Sequence, residues 1–258
     1  MISDMNKIKL FCFPYAGGSA VIYKKWRSWL DDSIQLFPIE LAGRGVRIRE
    51  SLYRSCEEAV DDLYAIVKHE ISESPYALFG HSMGAMLAYE LAGKIRQAGV
   101  NPPIHLFFSG RSAPHIPMQE EKKYHLLDQD AFAKKVLELG GTPPEFFQYP
   151  QLLEMFLPVL RRDFFLSATD FNFDRIIPFD CDISVFLGKE EDMVPEQADG
   201  WKKHTSGICS IHYFNGGHFF INEEGATVSR LINKTLLSKM SPGPQHPVSI
   251  PAKDLTAL

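Results

Sequence analysis

The 258-residue sequence predicts an α/β fold, a mostly parallel, doubly wound sheet with helices on both faces, and three observations lead there. Apolar strand candidates recur at residues 8–13, 34–39, 76–79, 104–108, 183–187 and 210–214. They run near-continuously apolar rather than alternating, as strands covered on both faces must. Segments with helical periodicity separate most of them, which implies right-handed crossovers between parallel neighbours.

The first strand leads into Phe13-Pro14-Tyr15-Ala16-Gly17-Gly18-Ser19-Ala20, a turn whose glycines let the backbone approach a ligand closely. After the second strand, Ser55 followed by Glu58 reads as a capping box, and Val60, Leu63 and Val67 then share one helical face. The third strand enters Gly80-His81-Ser82-Met83-Gly84. Leu87, Leu91 and Ile95 follow at helical spacing, and Gly99 supplies a stop signal. Near the other end, Asn222 precedes Val228, Leu231, Ile232 and Leu236 at core spacing.

The interval between the fourth and fifth strands exceeds 70 residues, far more than one crossover helix needs, so an insertion is expected at about 115–178. It holds helical pieces at 130–139 and 151–160, separated by Gly140-Gly141-Thr142-Pro143-Pro144, and it carries Phe146, Phe147, Phe156, Phe164, Phe165, Phe171 and Phe173. These aromatics either pack the insertion onto the body or form the underside of a mobile lid over an apolar channel. The expected organisation is one domain over 1–240 and a disordered tail, 241–258, with four prolines.

Composition narrows the function classes. A 45% hydrophobic chain of this length can bury one sizeable core. A net charge of −5 and a pI near 6.0 argue against nucleic acid or an anionic membrane as the main partner. Cys12, Cys56, Cys181 and Cys209 are far apart with no C-x-x-C pair, so they read as small core residues rather than a metal or redox site. No apolar run approaches ~18 residues, and the N-terminus enters a strand without an apolar leader, so a cytoplasmic setting is expected; a monomer is the expected state. Gly43-Arg44-Gly45 lacks the third glycine of a dinucleotide fingerprint and no Walker A sequence occurs, so no bound cofactor or metal is expected.

The chemistry gathers around Gly80-His81-Ser82-Met83-Gly84. Strand, G-x-S-x-G and helix in that order form a nucleophile elbow, a strained turn that lifts a serine hydroxyl above the end of a parallel sheet. The fold is then of α/β-hydrolase type, with the insertion as a helical lid. Serine needs a base, which this topology delivers from the loop after the last strand. His218, reached through Asn215-Gly216-Gly217, holds that place. The acid belongs after the preceding strand, in Gly188-Lys189-Glu190-Glu191-Asp192-Met193-Val194. Related hydrolases commonly show glycine, two residues and then the acid, a count that falls on Glu191; aspartate is much the commoner residue in this role and a one-residue shift would give Asp192, to which the reading leans. Oxyanion stabilisation takes two backbone N–H groups, assigned to Met83 and Ala16, with Tyr15 as the alternative to Ala16.

Phe13-Pro14-Tyr15-Ala16-Gly17-Gly18, Glu40-Leu41-Ala42-Gly43-Arg44-Gly45, the elbow, Leu139-Gly140-Gly141-Thr142-Pro143, Phe156-Leu157-Pro158 and Gly216-Gly217-His218-Phe219-Phe220 are similar to motifs of the type II thioesterases of nonribosomal peptide and polyketide synthesis. The resemblance runs from about residue 8 to about 238. It implies a free-standing editing enzyme that hydrolyses aberrant acyl or aminoacyl thioesters from the phosphopantetheine arm of carrier domains. Arg44, Arg47, Arg49, Arg161 and Arg162 are candidates for carrier docking. Two other classes compete: a serine esterase or lipase acting on free small esters, and a non-catalytic binding protein on the same fold.

Overall fold

The computed structural model describes residues 7–116, 124–141, 149–169 and 176–240. The tail 241–258, Thr142-Pro143, Phe146, Phe147, Phe171 and Phe173 lie outside the described residues.

Among the described residues, six strands form one sheet: β1 (Ile8–Phe13), β2 (Ile34–Pro38), β3 (Tyr76–His81), β4 (His105–Ser109), β5 (Asp182–Gly188) and β6 (Cys209–Phe214). Their order is β2-β1-β3-β4-β5-β6, and every pairing is parallel. The reversal of strand order between β1 and β3 opens the crevice in which α/β sheets place their sites. Residues along β1 show why these strands read as continuous apolar runs. Ile8, Leu10 and Cys12 feed one core, whereas Phe11 and Phe13 feed the core on the opposite face.

The first of these faces is covered by a 3-10 helix at Ala20–Ser28 and by α8 (Gly225–Met240), with Tyr23, Trp26, Val228, Ile232 and Leu236 buried. The other carries α1 (Cys56–Val67) and α3 (Met83–Gln97), whose Val60, Leu63, Leu87, Leu91 and Ile95 are buried as their spacing predicts. Each such side chain contributes about 1.5–3 kcal/mol on burial. Short helices α2 (Glu70–Glu73), α6 (Pro195–Asp199) and α7 (Phe220–Glu223) complete the layers.

Local signals set the helix ends. Ser55 Oγ accepts the Glu58 N–H at 3.1 Å, but the Glu58 carboxylate reaches back to the Arg54 N–H at 2.6 Å, one residue earlier than a reciprocal box would. Gly99 takes φ +65°, the left-handed conformation that ends α3. Asn222 is not a cap: it lies inside α7, and α8 starts at Gly225, where the backbone presses against Trp26 and Trp29. The cysteines are free; burial pushes the Cys56 and Cys181 thiols up to about 12, which makes them inert core residues.

The insertion between β4 and β5 contains α4 (Gln129–Leu139) and α5 (Pro150–Ser167). Asp128 caps α4 by accepting the Ala131 N–H at 2.8 Å. α5 runs seven residues past the predicted 151–160 and continues through Pro158. The two helices share a small core of Phe132, Val136, Leu157 and Leu160, against which Phe156, Phe164 and Ala16 also pack. Phe132, Phe156 and Phe164 therefore hold the insertion together and seat it on the turn after β1.

Candidate active site

The elbow forms at the end of β3 as its spacing requires. Ser82 has φ 55° and ψ −116°, and among the described residues it alone, glycines aside, has positive φ. Such a conformation costs roughly 1–3 kcal/mol and persists only when its surroundings enforce it. Here they do. The Ser82 N–H donates to the Ser109 carbonyl at 2.7 Å, which ties the elbow to the end of β4. A side chain at Gly84 would drive into the Phe13 carbonyl, and one at Gly80 into the Gly84 carbonyl, so both positions need glycine for space alone.

His218 follows β6 through Gly216, whose φ is +95°, and returns to the elbow. Its ring centroid lies 5.0 Å from that of His81, the residue before Ser82. His218 Nδ1 is 2.6 Å from Glu191 Oε1, while Glu191 Oε2 accepts the Gly188 N–H at 2.7 Å. The Glu191 side chain is 6% exposed and that of His218 37%. Asp192 is exposed. The lean to Asp192 is therefore corrected: the partner of His218 is Glu191. The physical reason is the loop geometry, because the Glu191 N–H bonds the Gly188 carbonyl at 3.3 Å and turns its side chain back under β5. Gly188 permits this meeting of loops, since any side chain there would collide with the carbonyls of Gly216 and Gly217.

His81 is a contributor that the motif alone does not reveal. It is fully buried, its Nδ1 lies 2.8 Å from Ser109 Oγ, and burial, reinforced by the neighbouring His218, holds its pKa well below 6.5. It therefore stays neutral and adds no second cation beside His218. Gly110 fits between these rings, and an added Cβ would meet both.

The expected amide donors, Met83 and Ala16, sit at the start of α3 and in the turn after β1. Met83 is the first residue of α3, so its N–H has no earlier helical turn to donate to. Tyr15-Ala16-Gly17-Gly18 forms a turn closed by the Gly18 N–H to the Tyr15 carbonyl at 2.8 Å, with Gly17 at φ +76°. The Tyr15 ring packs edge-on against Phe219 and His81, at 5.0 and 5.8 Å. Gly140 and Gly141 of the insertion arrive at the same place, and a side chain at Gly141 would strike the Phe219 ring.

The arginines divide differently from the expectation of a common docking role. Arg44 is only 7% exposed and is paired with the buried Asp163, so it is no surface cation. Arg161 donates to the carbonyls of His125 and Leu127 and stacks on Phe132, which makes it an internal brace of the insertion. Arg47 is held by Glu50 and Asp62, and Arg162 lies over the Phe165 ring. Arg49 is exposed. Among the described residues, no cluster of His, Cys, Asp or Glu is arranged to hold a metal ion, and no helix is long and apolar enough to cross a membrane.

A thioesterase-domain family model matches residues 8–236. The chain belongs to the thioesterase family. It is thus a thioester hydrolase of the α/β-hydrolase superfamily, related to the type II thioesterases of nonribosomal peptide and polyketide pathways. It is 36% identical over 237 residues to a protein of Brevibacillus parabrevis named linear gramicidin dehydrogenase LgrE, covering 90% of this chain and 89% of that one. The dehydrogenase name stays with that protein. In this chain the one Gly-x-Gly, Gly43-Arg44-Gly45, opens a three-residue 3-10 turn. The crystal structure of ClbQ from the colibactin pathway is similar over 90% of this chain and 98% of that one, at 36% identity and a TM-score of 0.84. The type II thioesterase BorB from the borrelidin cluster matches at 30% identity and a TM-score of 0.79, over 89% and 93% of the two chains.

Proposed function

We propose that this chain is a stand-alone editing thioesterase that removes aberrant acyl or aminoacyl groups from the phosphopantetheine arm of carrier domains in nonribosomal peptide or polyketide synthesis. The observation that carries the chemistry is the strained Ser82 with the Glu191–His218 pair brought to its elbow. The pathway follows from the likeness to the relatives above.

In this reading Ser82 attacks the thioester carbonyl as His218 Nε2 takes its proton, and Glu191 holds the imidazole with its other proton on Nδ1. The Met83 and Ala16 amides receive the charge on the tetrahedral oxygen. Collapse expels the pantetheine thiol, to which His218 returns the proton, and leaves an acyl group on Ser82. Water, deprotonated by the same imidazole, then attacks the ester and frees the acid. The phosphopantetheine belongs to the substrate, and no step calls for a resident cofactor. Discrimination among short acyl chains would be modest, since one methylene is worth only about 1–3 kcal/mol in an apolar pocket. Arg49, preceded by Ile48 and, three positions earlier, Val46 at 55% and 91% exposure, offers a local basic and apolar contact for a carrier domain.

The test compares turnover of an acyl group on a carrier domain with turnover of the same group on free pantetheine and as an oxygen ester. Editing predicts a large preference for the carrier-bound form. Equal rates on all three would make the protein a general esterase.

A further inference from the structure

The oxyanion turn does not hold itself. Residues from two other parts of the chain converge on it. Asp163, on α5 in the insertion, accepts the Gly17 N–H through Oδ2 at 2.7 Å. Arg44, from the loop after β2, donates to the Gly18 carbonyl at 3.1 Å and grips the same carboxylate with both terminal nitrogens, at 2.5 and 2.7 Å. Asp163 is 0% and Arg44 7% exposed.

The geometry of the turn gives these bonds a purpose. With Gly17 at φ +76° in its third position, the Tyr15–Gly18 turn has the form in which the central Ala16–Gly17 peptide is rotated about half a revolution from its arrangement in the commoner turn type. The Gly17 N–H belongs to that peptide, so the bond to Asp163 selects one of its two orientations. Ala16, in the second position, donates its N–H to nothing among the described residues. Overhead, Leu160 and Phe156 of α5 lie close enough that a Cβ on Gly17 would meet them at 2.6 and 3.0 Å, so the helix seats directly on the turn. Further along α5, Arg111 donates to Ser167 Oγ and to the Ser167 carbonyl, at 2.8 and 2.9 Å, fixing the end of the same helix to the loop after β4.

We propose that Asp163 and Arg44 are positioning residues for catalysis, a neutral buried pair that fixes the Tyr15–Gly18 turn so that the Ala16 N–H points at the developing oxyanion. This rests on the reading of Ser82 as nucleophile and Ala16 as oxyanion donor. The pairing of opposite charges matters as much as the bonds. A lone carboxylate beside Gly17 would oppose the negative charge that builds up one peptide away; the guanidinium cancels it. The half of α5 that carries Asp163 is thereby part of the site and not merely its cover.

The experiment uses Asp163→Asn, which keeps the side-chain shape, and the double variant Arg44→Met/Asp163→Leu. The double variant removes both charges at once, so no unpaired ion is left buried. Steady-state kinetics on an acyl-pantetheine thioester, binding of a trifluoromethyl-ketone analogue that forms an anionic adduct, and fluorophosphonate labelling of Ser82 are measured for each folded variant. Positioning predicts that kcat falls by on the order of 10²-fold, as for loss of one oxyanion donor, with KM changed less than ~3-fold and analogue affinity falling in step with kcat. Folded variants with kcat within ~3-fold of wild type, or with the loss wholly in KM, would overturn the proposal. Should neither variant fold, amide hydrogen exchange of Gly17 in the wild-type protein decides: protection equal to that of α5 supports it, and exchange at the rate of open loops overturns it. A wild-type protein that the fluorophosphonate does not label would instead defeat the underlying nucleophile reading.

Discussion

Glu191→Gln isolates the acid's contribution, because the structure dictates what the amide must do. Glu191 Oε2 accepts the Gly188 N–H, and only the carbonyl oxygen of glutamine can keep that bond. The amide NH2 then takes the place of Oε1, 2.6 Å from His218 Nδ1, and presents a donor where the carboxylate presented an acceptor. Nδ1 must become the acceptor, which moves the ring proton to Nε2, the nitrogen needed to accept from Ser82. The wrong tautomer together with loss of the carboxylate's stabilisation of the imidazolium costs roughly 10³–10⁴-fold in kcat. That corresponds to about 4–5.5 kcal/mol of activation free energy. Asp192→Asn touches an exposed side chain and should leave kcat within ~2-fold. Stopped-flow or thiol-release assays at pH 7.5 measure both. A larger loss in Asp192→Asn than in Glu191→Gln would refute the assignment and the tautomer argument together.

Further outcomes follow from the same geometry. Gly188→Ala places a methyl against the Gly216 and Gly217 carbonyls, so it should move the His218 loop; we expect roughly 1–3 kcal/mol of destabilisation in urea unfolding and a kcat loss larger than the KM change. His105, buried with Nε2 2.9 Å from Ser184 Oγ, has its pKa lowered from 6.5 to about 4, mainly by burial. The unfolded chain therefore binds a proton that the folded one refuses. Stability from this residue is complete above pH 6.5 and is lost as the pH falls towards 4, by about 3 kcal/mol at roughly 1.4 kcal/mol per unit. Urea midpoints of His105→Gln should accordingly fall less between pH 7 and 4.5 than those of wild type, and parallel curves would contradict this.

Much of the fold is legible because both faces of each strand are covered. All six strands lie within two residues of their apolar runs, since a run such as Ile8 to Phe13 has only one way to bury every side chain. The elbow and His218 are legible for a different reason: few backbones tolerate a serine at positive φ, and the glycines that permit it mark the place. Other features depend on contacts far apart in sequence. Glu191 and Asp192 differ by one position in a loop, and the choice rests on the Gly188 hydrogen bonds that turn one inward. Arg44 looks like a surface cation until Asp163, 119 residues away, is seen to bury it. Asn222 resembles a helix cap, yet the chain turns once through α7 before α8 begins.

In the proposed mechanism Ser82 carries the acyl group between thioester and water. Rapid mixing with an acyl-pantetheine thioester, acid quench and peptide mass spectrometry test it most directly. Wild type should show one acyl mass on the peptide containing Ser82, stronger when deacylation is slowed, and Ser82→Ala none, with a thermal midpoint close to wild type. Turnover by Ser82→Ala near the wild-type rate, or an acyl mass on another residue, would contradict it.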